Sequence, residues 1–340
     1  MDRRAFLLAA GASGLASGAA AKAAPELVKP AVLRPGDRVA VVSPSTAMYD
    51  PAAAERARLV IEALGLTPVI PAGFLARPRD LGGSVRHRLD ELHSAFADPA
   101  IKGVFCARGG YGVSEIVAEV DYGLIRRNPK VFLGFSDATL LQLAIRRNAG
   151  MVTFHGRMPG LARFPAYSLE ALRRAVCETR PLGTLANPPE GNPLRPAYPL
   201  RTIAAGTAEG RLAGGNLAMI LAAMGTPWEI DARGAILVFE DVDETAYSTA
   251  RMLRTLKYAG KFKEVAGVAV GAFANSDRSS DSSPYTLNEV FDQVLGDLGV
   301  PVFSGLAMGH TDEQLTLPIG VRARIDAGAK TLTVLEAGVA

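Results

Sequence analysis

Val131-Phe132-Leu133-Gly134-Phe135-Ser136-Asp137-Ala138 packs a short apolar run, a turn and the start of a helical pattern into one stretch of chain. Val131 to Gly134 reads as a buried strand, and Ala138 to Arg147 reads as a helix. A serine at such a junction sits in a sharp turn with its hydroxyl at the sheet edge. Gly134 and Ala138, two residues before and two after it, relieve the crowding. This is the logic of a nucleophile elbow, and the following helix N-terminus offers free N–H groups to an oxyanion. A plainer reading is also open, with Ser136 as a helix N-cap and Asp137 in the first turn.

The same alternation extends in both directions. Arg38–Ser43, Thr67–Ile70, Gly103–Ala107 and Met151–His155 read as further strands, with helices over Pro51–Leu64 and Asp90–Phe96. Short apolar strands alternating with helices imply an α/β domain with a parallel sheet covered on both faces, its sites at the carboxyl ends of the strands. Residues 161–207 carry Pro181, Pro188, Pro189, Pro193, Pro196 and Pro199 and read as linker and loop with one helix around Leu169–Cys177. A second domain over 208–340 follows. It holds helices at Asn216–Met224, Tyr247–Tyr258 and Leu287–Leu298, and strands at Ala235–Phe239 and Val265–Phe273. It ends in an antiparallel hairpin, Val321–Asp326 with Thr331–Leu335. The 340-residue length agrees with more than one core.

Composition narrows the function classes. The net charge of +3 arises from basic residues spread along the chain, too even for a nucleic-acid-binding face. Two cysteines, Cys106 and Cys177, make neither a disulfide framework nor a zinc site and read as ordinary thiols. The chain has no H-E-x-x-H, no G-x-G-x-x-G after a strand and no G-x-x-x-x-G-K-[ST], so no metal and no cofactor is expected.

Ser136 needs a base. Of the four histidines, His87 lies between arginines and His93 on a helix. His155 ends a strand and is placed to line the cleft, while His310 lies in a loop beside Gly309, which suits a mobile general base. The base needs a carboxylate to hold its tautomer. Glu240 ends the apolar run Ala235–Phe239, where an unpartnered charge is costly; Asp241, Asp243 and Glu244 compete with it and read as turn or capping residues. The nucleophile then belongs to domain 30–160 and the other two residues to the second domain, which makes the interdomain cleft the active site. Arg108-Gly109-Gly110-Tyr111-Gly112 follows a strand and allows close backbone approach to a ligand. The N–H groups of Gly110 and Asp137 are the candidate oxyanion donors. Arg108, Tyr111 and His155 are the candidate substrate-binding side chains, Arg108 as the partner of a substrate carboxylate.

Residues 1–23 read as a signal peptide: Arg3-Arg4 with Phe6-Leu7, a weakly apolar run, and Ala21-Lys22-Ala23 at the end. The paired arginines resemble the twin-arginine type, so export to the periplasm and cleavage near Ala23 are expected, lowering the net charge to +1. No other segment is long and apolar enough for stable membrane insertion.

Taken together, Ala107-Arg108-Gly109-Gly110-Tyr111-Gly112, Gly134-Phe135-Ser136-Asp137, Leu237-Val238-Phe239-Glu240-Asp241 and Gly309-His310 with Leu317-Pro318-Ile319-Gly320 resemble the LD-carboxypeptidase family of serine peptidases. His155-Gly156 and Gly214-Gly215-Asn216-Leu217 fit the same pattern, and the segments cover nearly all of the chain after the leader. The resemblance implies Ser136 as nucleophile, His310 as base and Glu240 as its partner. It also implies a flavodoxin-like N-terminal domain, a smaller swivelling β-rich C-terminal domain and a homodimer. The implied substrate is a murein tetrapeptide, or another LD-linked peptide, that loses its terminal D-amino acid. A related branch cleaves a peptide–nucleotide antibiotic using an aromatic platform, and 160–200 has little aromatic content. Recycling members of the family act in the cytoplasm, whereas this chain carries an export-like leader. An exported solute-binding protein for murein peptides is the rival from outside catalysis. It has no need of a base–carboxylate pair.

Overall fold

The computed structural model describes residues 26–71, 81–189, 191, 192, 194, 196–276 and 285–340. The expected signal peptide lies outside the described residues. In chain order the first elements are β1 (Arg38–Val42), α1 (Ala53–Ala63), β2 (Thr67–Val69), α2 (Val85–Ala97), β3 (Ile101–Cys106), α3 (Val113–Ile116), α4 (Tyr122–Arg127), β4 (Val131–Gly134), α5 (Ala138–Ala149) and β5 (Thr153–His155). There follow α6 (Ala166–Cys177), β6 (Gly183–Thr184), β7 (Arg201–Ala204), β8 (Thr207–Asn216), α7 (Leu217–Ala222), β9 (Ala235–Val242), α8 (Ala246–Tyr258), β10 (Gly267–Ala274) and α9 (Leu287–Leu295). The last are β11 (Val302–Ser304), β12 (Leu317–Ile319), β13 (Arg322–Asp326) and β14 (Thr331–Val334).

Two sheets organise the molecule. The first has six strands in the order β12-β5-β4-β3-β1-β2. β2, β1, β3, β4 and β5 run parallel, the flavodoxin-like order expected of short strands whose residues are buried on both faces. The second has eight strands in the order β6-β14-β13-β8-β9-β10-β11-β7. Its centre, β8 to β11, is parallel; β7, β13, β14 and β6 add antiparallel flanks.

Three placements exceed what periodicity showed. The proline-rich segment supplies both edge strands of the second sheet, β6 and β7, besides the expected helix α6. β12 pairs antiparallel with β5, Leu317 opposite His155, so late sequence completes the first sheet. Helix α1 begins at Ala53 with Ala52 at its N-cap and no side-chain cap bond; Asp50 Oδ1 instead accepts the Ala52 N–H at 2.9 Å, before the helix starts. Cys106 is fully buried and Cys177 half-buried, and both thiols are free. No helix among the described residues is long and apolar enough to cross a membrane.

Candidate active site

β4 delivers Ser136. The serine has φ 61°, in the left-handed region that a residue with a Cβ adopts at a cost of about 1–3 kcal/mol. It is therefore not an N-cap; Asp137 holds that position for α5, with no side-chain cap bond. The small neighbours are required as expected. A Cβ on Gly134 would lie 2.7 Å from the Ala138 Cβ and 3.2 Å from Cys106 Sγ. Gln142, buried on α5, donates to the carbonyls of Gly134 at 3.0 Å and Phe154 at 2.8 Å, fastening the turn to β4 and β5.

β9 delivers Glu240. It lies on the second sheet between β8 and β10, opposite Asn216, and its side chain is fully buried. His310 comes from the loop between β11 and β12. Its Nδ1–H donates to Glu240 Oε2 at 2.7 Å, and its Nε2 stands 3.0 Å from Ser136 Oγ, as acceptor of the hydroxyl proton. The carboxylate can only accept, which sets this tautomer. Phe135 packs edge-on against the His310 ring at 5.0 Å between centroids and limits its tilt. Three residues from opposite sheets thus form one hydrogen-bonded chain at the strands' carboxyl ends.

The competing carboxylates are otherwise engaged. Asp241 accepts from Asn216 Nδ2, the Ala218 N–H and the Val242 N–H, and burial pushes its carboxyl up to about 6. Glu244 accepts from the Ser248 hydroxyl at 2.5 Å, and Asp243 is exposed. The Asn216 N–H in turn donates to Thr139 Oγ1 at 3.0 Å, which links β8 to the helix that follows the serine.

Burial pulls the His310 pKa down, but the hydrogen bond and charge of Glu240 outweigh it, and the net direction is up from 6.5. A base must be neutral to accept the serine proton, so activity is lost as pH falls through that raised pKa. The acid limb of kcat/KM is expected to have its midpoint above 6.5 in the wild type. In Glu240→Gln the carboxylate's hydrogen bond and charge, the largest raising influences, go and burial remains, so the midpoint moves to lower pH, with a large fall in rate. A pH–rate profile of both proteins checks this, and an unmoved limb would contradict the assignment.

His155 corrects an expectation. It is fully buried and does not line the cleft, so it is not a substrate contact. Its Nε2 faces Glu240 Oε1 at 4.0 Å, too long for a hydrogen bond, and burial holds its pKa down to about 4, so it is neutral at pH 7. Neither of its ring nitrogens, nor Glu240 Oε1, has a hydrogen-bond partner among the described residues.

The glycine loop reaches the nucleophile. A Cβ on Gly109 would lie 2.9 Å from Ser136 Oγ, so the loop backbone runs directly beside the hydroxyl. Neither the Gly110 nor the Asp137 N–H donates to a protein acceptor among the described residues. The buried Asp137 carboxylate accepts the Val113 N–H at 3.0 Å and ties α3 to the elbow. Arg108 is half-buried and makes no ion pair among the described residues, and Tyr111 is exposed.

Gly309 has a role other than the mobility expected of it. Its φ is +103°, and a Cβ there would lie 2.3 Å from Glu240 Oε2. Gly309→Ala is expected to displace either the carboxylate or the histidine loop, lowering kcat by about 10² or more and the Tm together. Steady-state kinetics with thermal melts check it; wild-type kcat in this variant would show that the contact is slack.

Known proteins resemble this chain in sequence and in fold. Residues 39–156 match the LD-carboxypeptidase N-terminal domain and residues 209–325 the LD-carboxypeptidase C-terminal domain. The chain is 36% identical over 315 residues to a probable murein peptide carboxypeptidase of Bacillus subtilis (strain 168), covering 92% of this chain and 95% of that protein. The solved muramoyltetrapeptide carboxypeptidase from Oxalobacter formigenes superposes with a TM-score of 0.75 at 26% identity, over 87% of this chain and 97% of that one. The microcin C7 self immunity protein MccF, solved with aspartyl sulfamoyl adenosine, superposes with a TM-score of 0.81 at 25% identity, over 92% and 100% of the two chains.

Proposed function

The chain belongs to the LD-carboxypeptidase family and is a peptidase, and on that premise we propose that it is a serine carboxypeptidase releasing the terminal D-alanine of a murein tetrapeptide. The observation that carries the reading is the Ser136–His310–Glu240 chain, with contacts of 3.0 and 2.7 Å. Ser136 Oγ attacks the scissile carbonyl as its proton passes to His310 Nε2. Glu240 stabilises the imidazolium without taking the proton. The tetrahedral oxyanion sits against the unengaged Gly110 and Asp137 N–H groups. His310 then protonates the leaving amine, the C–N bond breaks, and D-alanine departs. Water, deprotonated by His310, hydrolyses the acyl-serine and restores the enzyme. Arg108, without an anionic partner among the described residues, suits the free carboxylate of the substrate, and Tyr111, three residues on, offers an exposed ring.

Incubation with murein tetrapeptide followed by mass spectrometry tests the reading; the expected product is tripeptide plus free D-alanine. Tight binding without release would instead favour a solute-binding protein. Exchange of an added D-amino acid into the peptide would favour a transpeptidase, and cleavage of an aminoacyl sulfamoyl adenosine alone an immunity peptidase. The Arg3-Arg4 leader supports a periplasmic location, and the family resemblance supports a homodimer. Intact mass of the exported protein checks the first, with a mature form retaining Met1 excluding cleavage. Sedimentation of the purified protein checks the second.

A further inference from the structure

His310 is borne by a loop rather than a strand or helix, yet its ring must stay within hydrogen-bond reach of a serine on the other sheet. The ends of the loop are held by main chain: the Ala272 N–H of β10 donates to the Met308 carbonyl at 3.0 Å and the Leu315 N–H to the Ala307 carbonyl at 2.7 Å. Over residues 309–314 the main chain makes no hydrogen bond to the main chain of another element among the described residues; its one internal bond runs from the Thr311 N–H to the Gly309 carbonyl. For the main chain of 309–314, the outside partners are side chains from the segment after β5. The Tyr198 hydroxyl donates to the Glu313 carbonyl at 3.3 Å, and Ser168 Oγ accepts the Gln314 N–H at 2.8 Å. Nearest to the base is Arg157. It is only 7% exposed, its Nη1–H donates to the Thr311 carbonyl at 2.7 Å, and its Nε–H donates to the Arg163 carbonyl at 2.7 Å. The Asp312 carboxylate approaches the same guanidinium at 3.9 Å and also pairs with Arg163 at 3.2 Å.

A buried guanidinium is rarely retained without full engagement, because its desolvation is offset only by several directed bonds. Here one of those bonds spans 154 residues of sequence and ends on the carbonyl immediately after the base. Arg157 follows β5, which pairs with the nucleophile's strand β4, so one planar group is bolted to the nucleophile's sheet and to the base's loop. We infer that Arg157 is a positioning residue, whose buried guanidinium holds the His310 loop against the nucleophile's sheet and sets the distance between His310 and Ser136. It touches neither reacting atom. Its action passes through the Thr311 main chain. The inference rests on His310 serving as the base of the proposed reaction.

A double-mutant cycle on the full chain tests it, with murein tetrapeptide as substrate. Arg157→Met is expected to lower kcat by about 10–100-fold with little change in KM, since a displacement near 1 Å costs on that order. Arg157→Lys, which can reach one carbonyl, is expected to recover part of the loss. In a His310→Ala background Arg157→Met is expected to cause no further loss, because the group it positions is gone. Equal losses in both backgrounds would overturn the proposal in favour of a general folding role. Should Arg157→Met fail to fold, Arg157→Lys carries the same cycle. A second readout needs no substrate. The downfield proton NMR signal of the imidazole N–H shared with Glu240 should broaden or vanish in the Arg157 variants while the folded methyl spectrum persists. An unchanged signal would overturn the proposal. If the wild type leaves tetrapeptide intact while this signal responds to Arg157, the substrate reading fails and the positioning role stands.

Discussion

Ser136→Ala should reduce D-alanine release by about 10⁴–10⁶-fold while the fold persists, because the variant loses the hydroxyl that His310 Nε2 meets. The residual rate would come from binding and the oxyanion donors alone. The backbone adds a second, opposite-signed consequence. At φ 61° both serine and alanine carry the left-handed strain, and glycine does not. Ser136→Gly is therefore expected to be as inactive as Ser136→Ala and yet melt at a higher temperature than it. The gain is on the order of 1 kcal/mol, the usual size of such strain, less the added freedom of glycine in the unfolded chain. Rates from a pure preparation and melting curves of the three proteins decide the matter. Wild-type-like turnover in Ser136→Ala rejects the mechanism. A glycine variant less stable than the alanine variant would show that the elbow is not strained.

His310→Ala is expected to cost a similar factor, about 10⁴–10⁶ in kcat, since a serine hydroxyl without a base is a poor nucleophile at neutral pH. The sharper expectation concerns the pair. Ser136 and His310 act on one proton, so Ser136→Ala/His310→Ala should be no slower than either single variant. Additive losses would mean that the two side chains serve separate steps. The same substitution removes the partner of a fully buried carboxylate. Glu240 Oε2 then loses the hydrogen bond from His310, and the neutral His155 Nε2, 4.0 Å from Oε1, is too far to replace it. Stability should fall modestly, by about 1–3 kcal/mol, as for any buried charged group deprived of a hydrogen bond. Chemical denaturation of both proteins reads that difference, and an unchanged midpoint would show that Glu240 finds a substitute partner.

Much of this site is legible along the chain because its local part is steric. The crowding at a strand–turn–helix junction acts over five residues, and Gly134, Ser136 and Ala138 satisfy it wherever the sheet lies. The strands β1, β3, β4, β9 and β10 are likewise visible as apolar runs, since burial on both faces demands them. The edge strands β6 and β7 are two and four residues long, too short to show a period, and the prolines around them read as loop. Glu240 could be favoured over Asp241 only by its place on the buried run. It is the structure that turns Asp241 toward Asn216 and leaves Glu240 facing His310.

By itself, then, the sequence determined an α/β chain with a serine in a strained turn, a glycine loop before it, and a carboxylate and a loop histidine after it. Tertiary structure decided which groups meet. The His310–Glu240 and His310–Ser136 contacts join residues 70 and 174 apart, and the Arg157 clamp joins residues 154 apart. It also buried His155, which the strand-end position had suggested for the cleft, with its ring against Phe135 and near Glu240. The physical reason is range. Backbone sterics and side-chain periodicity act within a few residues and are written locally, whereas a hydrogen bond between two sheets exists only once packing has set their separation.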